Sequence, residues 1–353
     1  MSSSAIEKSI PVHTTKRLVG PVFALLLIAP IVGEVLSGAT RVSYIFALLP
    51  EVMVWGCGAL IIRELVVRWG GGLRTILLLG LALAIAEEFL IQQTSLAPIP
   101  FAPGLNYGRV WGVNWVYFLF MLAYESIWIV LVPIHLTHLI FPERRNQPWL
   151  KTRGLVISAV VFLVGSHIAW FLWTQQARRV VFSMPDYKPP LITMLLGALA
   201  IVVLVLLAYA VRGKPKTQPP VQKKALSPLT VGLSAFFLGL PWYLLITLVF
   251  VPYPPVSSPI ALAAGCVWAI ACFLLFDRWS SAAGWNDIHR WAACFGTVWV
   301  CILGGFLGSN YWPRIDLIGK IVLNVAAILL LLRLGGSVKR AALGANPSSQ
   351  QVG

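Results

Sequence analysis

A chain of 353 residues with 58% hydrophobic and only 11% charged side chains is not an ordinary soluble globule, whose charged share is about 25%. The formal net charge of +15 does not indicate a nucleic-acid partner, because the Lys and Arg stand in short breaks between apolar runs, where basic residues set topology and meet anionic lipid. The composition therefore predicts an all-α, polytopic helical bundle of the cell membrane, plasma or bacterial inner, surrounded by lipid bilayer.

With about 20 apolar residues per crossing, ten spans are predicted: 18–38, 43–62, 73–95, 111–140, 154–174, 191–211, 229–251, 258–276, 288–308 and 315–334. The first follows Lys16 and Arg17 as a signal peptide would, yet it is longer than such a segment and carries Pro30 and Glu34, so it is kept as a helix. The third contains "LALAIAEEFLIQQTSLAPIPF", residues 81–101, with Glu87 and Glu88 adjacent in a run otherwise apolar enough to cross a bilayer. A carboxylate there costs roughly 2.5–3.5 kcal/mol on insertion scales. The loop that follows combines Pro98, Pro100 and Pro103 with Tyr107, Trp111 and Trp115, an interfacial connector that could also cap a cavity. In the fourth span His135 and His138 share a face near one end and read as interfacial, while Glu64 and Arg68 of the second span read as a surface pair. The five cysteines stand in apolar segments without ligand-like spacing and are expected to be buried thiols. The small residues of "GGFLG", 304–308, offer a face for helix packing.

Alternating the loops between two sides puts 20 of the 27 Lys and Arg on the side of both termini and 7 on the other, so both termini are expected in the cytoplasm. The basic linker 212–228 divides the chain into a six-helix part, 1–211, and a four-helix part, 229–340, followed by a flexible tail, 341–353.

The ionisable groups are unevenly shared. Glu34, Glu51, Glu87, Glu88, Asn114, Glu125 and His167 all fall between residues 30 and 170, most of them toward the outer leaflet. The later spans offer little beyond Lys320 and Asn324. Polar groups in a span usually face the bundle interior or a water-filled cavity and pair with one another. Each also has a plainer reading: Glu34 reaching the interface, Glu51 serving a kink at Pro50, His167 as a hydrogen-bonded interior histidine.

Two carboxylates at close range in a low dielectric do not both ionise cheaply, so a pair can divide into acid and base for hydrolysis. Gln92 lies one turn beyond Glu88 and is expected to hydrogen-bond it, which nominates Glu88 as the working carboxylate and Glu87 as its supporter. Glu88, His167 and Glu51 could alternatively hold a divalent metal such as zinc, and the same groups could relay protons or bind a cation in transport.

These residues resemble the CAAX protease and bacteriocin-processing superfamily of intramembrane proteases, whose motifs run EExxxR, FxxxH and HxxxN or HxxxD. "EEFLIQ" matches the two glutamates with Gln92 at the arginine position. Phe120 precedes Tyr124 where histidine is expected, and His167 matches the third histidine with Phe171 at the Asn or Asp position. The resemblance implies that Glu87 or Glu88 activates water and that His167 assists as ligand or oxyanion partner; Glu51, Asn114, Glu125 and Gln92 are the candidates for contacting a membrane-bound peptide or lipid-linked substrate. A proton- or cation-coupled transporter and a non-catalytic membrane scaffold are the alternatives.

Overall fold

The computed structural model describes residues 19–98, 107–213 and 221–344. Lys16, Arg17, Pro100, Pro103, the 214–220 part of the linker and the tail from 345 lie outside the described residues. Each of the ten apolar segments contains a helix: α1 (Val19–Val35), α2 (Val42–Arg68), α3 (73–91), α4 (Trp115–Ile140), α5 (Thr152–Val181), α6 (Leu191–Val211), α7 (Pro228–Phe250), α8 (Ser258–Trp279), α9 (Asp287–Gly304) and α10 (Arg314–Gly344). Among the described residues, seven of these, α2, α4, α5, α6, α7, α8 and α10, are long and apolar enough to cross a membrane. Among the described residues, strand structure is confined to two small pairings: β1 (Arg109–Val110) with β2 (Val113–Asn114), antiparallel, and β3 (Val221–Lys224) with β4 (Ala282–Ala283), parallel.

The helices sort into an inner set and a lipid-facing set. In the most apolar stretch of α2 and of α4, 50% and 56% of residues are buried, against 17% in α6 and 11% in α8. The outward residues of α6 and α8 are large and aliphatic, such as Leu195, Leu199, Val267 and Ile270. Lipid tails solvate such side chains, so the outward face of the bundle needs no polar cover. One hydrophobic core joins both parts of the chain, running from Leu25 and Leu60 through Trp128 to Trp242 and Val298. Trp128 Nε1 donates to the Thr297 carbonyl at 2.8 Å and Trp242 Nε1 to the Phe120 carbonyl at 3.0 Å, so α4 is bonded to both α9 and α7. Close approach depends on residues without side chains: a Cβ on Gly56 would collide with the Leu26 carbonyl of α1, and one on Gly296 with the Gly232 carbonyl of α7. The glycines of 304–308 serve the same purpose within the chain, Gly304 lying under Tyr243 and Gly305 against the Ser37 carbonyl.

The connecting segments meet at two ends. At the basic end, Arg63 Nη2 donates to the Arg144 and Arg145 carbonyls at 3.1 and 3.0 Å, Arg145 clasps Asp287 at 2.5 and 2.8 Å, and Arg74 bonds Asp277 at 2.9 Å. At the other end Ser43 bonds Asp316 through both N and Oγ at 2.9 Å, and the Tyr107 hydroxyl donates to the Val256 carbonyl at 3.0 Å. Loops predicted to share a side therefore touch one another.

The basic end buries Glu64, which the sequence reading placed in a surface pair with Arg68, in an ion pair with Arg63. Glu64 is fully buried. It accepts from Arg63 Nη1 at 2.6 Å and from the backbone N–H groups of Trp149 and Leu150 at 2.9 and 3.2 Å, while Arg68 stands 3.6 Å away. Arg63 lies 3.5 Å over the Trp149 ring, and its Nε donates to His138 Nε2 at 3.3 Å. The pair thus ties the 141–151 connection to α2, and His138 belongs to that network. Of the cysteines, all unpaired, Cys57, Cys294 and Cys301 are buried as expected, whereas Cys266 is exposed and Cys272 intermediate.

Candidate functional site: a row of buried carboxyls

Five helices, α1 to α5, are interrupted by a wide π-type turn, and these turns fall at or near the predicted polar residues. They span Ile31–Val35, containing Glu34; Val52–Gly56, just after Glu51; Glu87–Ile91, beginning with the paired glutamates; Glu125–Leu131, beginning with Glu125; and Phe171–Val181 in α5. A wide turn accommodates one extra residue, shifts the helix face that follows and loosens the backbone ladder, and such turns are frequent at functional sites. Pro30 and Pro50 contribute, since each removes a backbone donor immediately before a wide turn or its glutamate.

Four of the five interrupted helices place carboxyls within electrostatic reach of one another, with no three of them, among the described residues, close enough to hold one metal ion. Glu51 is 6% exposed, Glu87 2%, and Glu88 and Glu125 0%. Glu34 is half-buried and lies within electrostatic reach of Glu51 on one side and of Glu87 and Glu125 on the other, while Glu125 also senses Glu88. The order is therefore a row, Glu51 to Glu34 to Glu87 and Glu125 to Glu88, crossing α2, α1, α3 and α4. None of the five carboxyls has an ion pair among the described residues. Lys320 of α10 reaches the same end of α1, but its Nζ donates to the Leu36 carbonyl at 2.5 Å.

Hydroxyl groups complete part of the row. Thr40 donates to Glu51 Oε1, and Thr94 and Ser95 both donate to Glu88 Oε2, at 2.7 and 2.5 Å. The remaining oxygens, Glu51 Oε2, Glu88 Oε1 and both of Glu87 and of Glu125, have no hydrogen-bond partner. The Tyr117 hydroxyl stands beside Thr94 within reach of Glu88 and Glu125, and the Tyr124 hydroxyl donates to the Gly33 carbonyl at the α1 turn. Thr94 and Ser95 carried a faint signal in the sequence: they lie six and seven residues past Glu88, just where the helix ends and the chain can fold back on it. Thr40 carried none, because only the tertiary fold brings it to Glu51.

Several expectations are corrected. His167 does not join the cluster; it is exposed on the outer face of α5 and stacks on Trp170 with ring centres 5.4 Å apart. The neighbouring buried positions Gly165 and Ala169 hold the inward face, so His167 points away from the bundle. Gln92 is not bonded to Glu88, whose hydroxyl partners are Thr94 and Ser95; it lines a cavity instead. Asn114 caps α4, its Oδ1 accepting from the Tyr117 N–H at 3.0 Å. That bond occupies the side chain in ending a helix, which is what asparagine does well at that position. The metal candidates Glu88, His167 and Glu51 do not converge, and among the described residues no three His, Cys, Asp or Glu side chains are placed to hold an ion.

At the far end of α3 a cavity opens between Gln92, Thr94, Tyr117, Trp173, Arg178 and Tyr187. Thr94 belongs both to this wall and to the hydrogen bonds of Glu88. Gln93, also in the wall, has φ of 60°, a left-handed conformation that a side chain seldom adopts. Nearby, Arg179 grips Asp186 at 2.5 and 2.6 Å and holds that carboxyl below its usual range.

The fold and the buried polar row define a multi-pass helical membrane protein. The chain belongs to an uncharacterized membrane protein family, whose model matches residues 23–346. That stretch takes in the whole carboxyl row and both ends of the bundle. No curated protein and no solved structure matches the chain. The family match does not carry the resemblance to the CAAX protease and bacteriocin-processing superfamily.

Proposed function

We propose that the protein is a proton- or cation-coupled membrane carrier whose coupling site is the row Glu51, Glu34, Glu87, Glu125 and Glu88. The observation that carries this reading is the absence of counter-charge among the described residues around five acids on four packed helices. A bare carboxylate in a low-dielectric interior costs far more than one hydrogen bond returns, so each must be neutralised by a proton or by a bound cation. Carboxyls close enough to sense one another pass that neutralising charge along, because filling one site changes the affinity of the next.

A hydrolytic reading retains one specific observation, the contact of Glu88 with the cavity through Thr94. It loses the histidine that the resemblance supplied, because His167 faces outward. Reconstitution decides between them. Purified protein in sealed liposomes with an internal pH dye should dissipate an imposed proton or sodium gradient faster than protein-free liposomes, and Glu125→Gln should abolish the difference. A protein that moves neither ion, but whose Glu88-dependent activity cleaves a membrane peptide, would establish the hydrolytic reading instead.

A further inference from the structure

The cavity at the far end of α3 has a second chemistry that the carboxyl row does not use. Arg178 stands in its wall and is 6% exposed. Its Nε donates to the Pro185 carbonyl at 2.8 Å and one Nη1 hydrogen to the Pro98 carbonyl at 3.1 Å, which fixes the plane of the guanidinium and leaves the other Nη1 hydrogen and Nη2. No carboxylate bonds it among the described residues. The chain has only 12 acidic residues. Five acids form the row, Glu64, Asp277 and Asp287 are paired at the basic end, Asp316 is bonded to Ser43, Glu143 belongs to the Pro142–Arg144 turn, and Glu7 lies outside the described residues; Asp186 is gripped by Arg179 and lies within electrostatic reach of Arg178 without bonding it. Arg109 lies close enough to add its positive charge to that of Arg178, while its own Nη2 is spent on the Leu96 and Gly112 carbonyls.

A buried cation with no anion bonded to it is costly, as a buried carboxylate without a cation is. Here it is held by backbone carbonyls in a fixed orientation, in a cavity whose other walls include the rings of Tyr117, Trp173 and Tyr187 and the amide of Gln92. Tyr187 also faces the guanidinium, with Arg178 Cζ 5.9 Å from the ring centre. A planar guanidinium with free N–H groups selects carboxylate or phosphate oxygens, and aromatic walls select an apolar body attached to them.

We infer that this cavity, of about 40 Å³, is an anion site, in which Arg178 binds the carboxylate or phosphate end of an organic anion whose apolar part passes outward along the aromatic walls. The oxyanion comes either from a free solute or from the headgroup of an anionic lipid. The site goes beyond the carrier reading and stands without it, because it rests on Arg178 and not on the carboxyl row; Thr94 would make it the neighbour of Glu88.

The test is binding in the absence of any gradient. Purified full-length protein in neutral detergent is titrated calorimetrically with 3-phenylpropionate and with inorganic phosphate. In a parallel arm, thermal unfolding is followed in nanodiscs of phosphatidylcholine alone and of phosphatidylcholine with phosphatidylglycerol. Saturable binding of either soluble anion, weakened at least tenfold by Arg178→Gln and unchanged by Lys188→Gln, supports a solute site. An Arg178-dependent rise in unfolding temperature with phosphatidylglycerol, without soluble binding, supports the same site filled by lipid. If Arg178→Gln does not accumulate, Tyr187→Leu is titrated in its place, with a loss of affinity of at least severalfold expected. Binding that is indifferent to the variant used, or no response to any of the anions, overturns the proposal. Loss of ion flux with anion binding intact would count against the carrier reading alone.

Discussion

Two buried acidic regions lie in the first half of this protein, and they are built on opposite principles. At the basic end, Glu64 is surrounded by Arg63, Arg68 and two backbone N–H groups, and Arg63 is in turn satisfied by two carbonyls, His138 and the face of Trp149. Deeper in the bundle, Glu87 and Glu125 are just as buried and have no hydrogen-bond partner at either oxygen. The first arrangement is fixed from every side and can only hold the fold together. The second leaves the choice of neutralising charge open, which is the property a relay or a binding site needs. On the proposed reading, burial without a partner, and not burial alone, marks the coupling site.

The comparison is most easily broken at Glu64. Replacing it by Ala leaves Arg63 as an uncompensated buried charge, so stability should fall by about 3–5 kcal/mol, read from thermal or denaturant unfolding in detergent. A Glu64→Ala protein as stable as the parent would mean that the basic-end network contributes nothing. Glu125→Gln should do the reverse, keeping or raising thermal stability while reducing ion flux at least tenfold, because an amide removes the charge problem along with the exchangeable proton. Glu88→Gln should also keep stability, since its amide oxygen can still accept from Thr94 and Ser95, and should likewise lose flux. Asn324 sharpens the contrast from the second half of the chain. It is buried in α10 with neither side-chain polar atom bonded, so Asn324→Leu should raise stability by about 1–3 kcal/mol and leave flux unchanged. A loss of flux there would extend the polar path to α10.

The smallest effects belong to exposed groups. His167→Ala should change neither unfolding nor flux, since the ring lies on the outer face of α5. The Arg179 to Asp186 pair is more than half exposed, and water screens it. The guanidinium holds the Asp186 carboxyl below its ordinary value, so whatever the pair adds to stability is present at neutral pH and lost as the medium is acidified through the carboxylate range. An Arg179→Gln variant should flatten that part of the pH profile of unfolding and lower the neutral-pH value by the same small amount.

The helices were legible in the sequence because each apolar segment is long and ends at Pro, Gly or a charge. Leu191–Val211 coincides with the reading, and Ser258–Trp279 differs from it only at the far end. The glutamates were legible too, because a carboxylate in an apolar run is conspicuous. What their surroundings would be was not. A side chain's direction along a helix is inferred from the 3.6-residue period, and a wide turn changes that period. The interruption at Glu87–Ile91 sends Gln92 to the cavity and lets Thr94 and Ser95 return to Glu88. His167 shows a different failure. The sequence placed it within an apolar span but could not say which side of α5 it faced, because that helix is apolar all round and presents residues of one kind to lipid and to the core. Glu64 and Arg68 followed the ordinary spacing of a surface pair, and only the return of the 141–151 connection over them made the site a buried one.

The most direct measurement is gradient dissipation in proteoliposomes, made side by side with the parent protein, Glu125→Gln and Asn324→Leu, each matched for amount and thermal stability. The account predicts that the parent and Asn324→Leu collapse an imposed proton or sodium gradient well above the lipid leak, and that Glu125→Gln, equally well folded, falls to the leak. Equal rates for the parent and Glu125→Gln, or a parent no faster than empty liposomes for either ion, would contradict it.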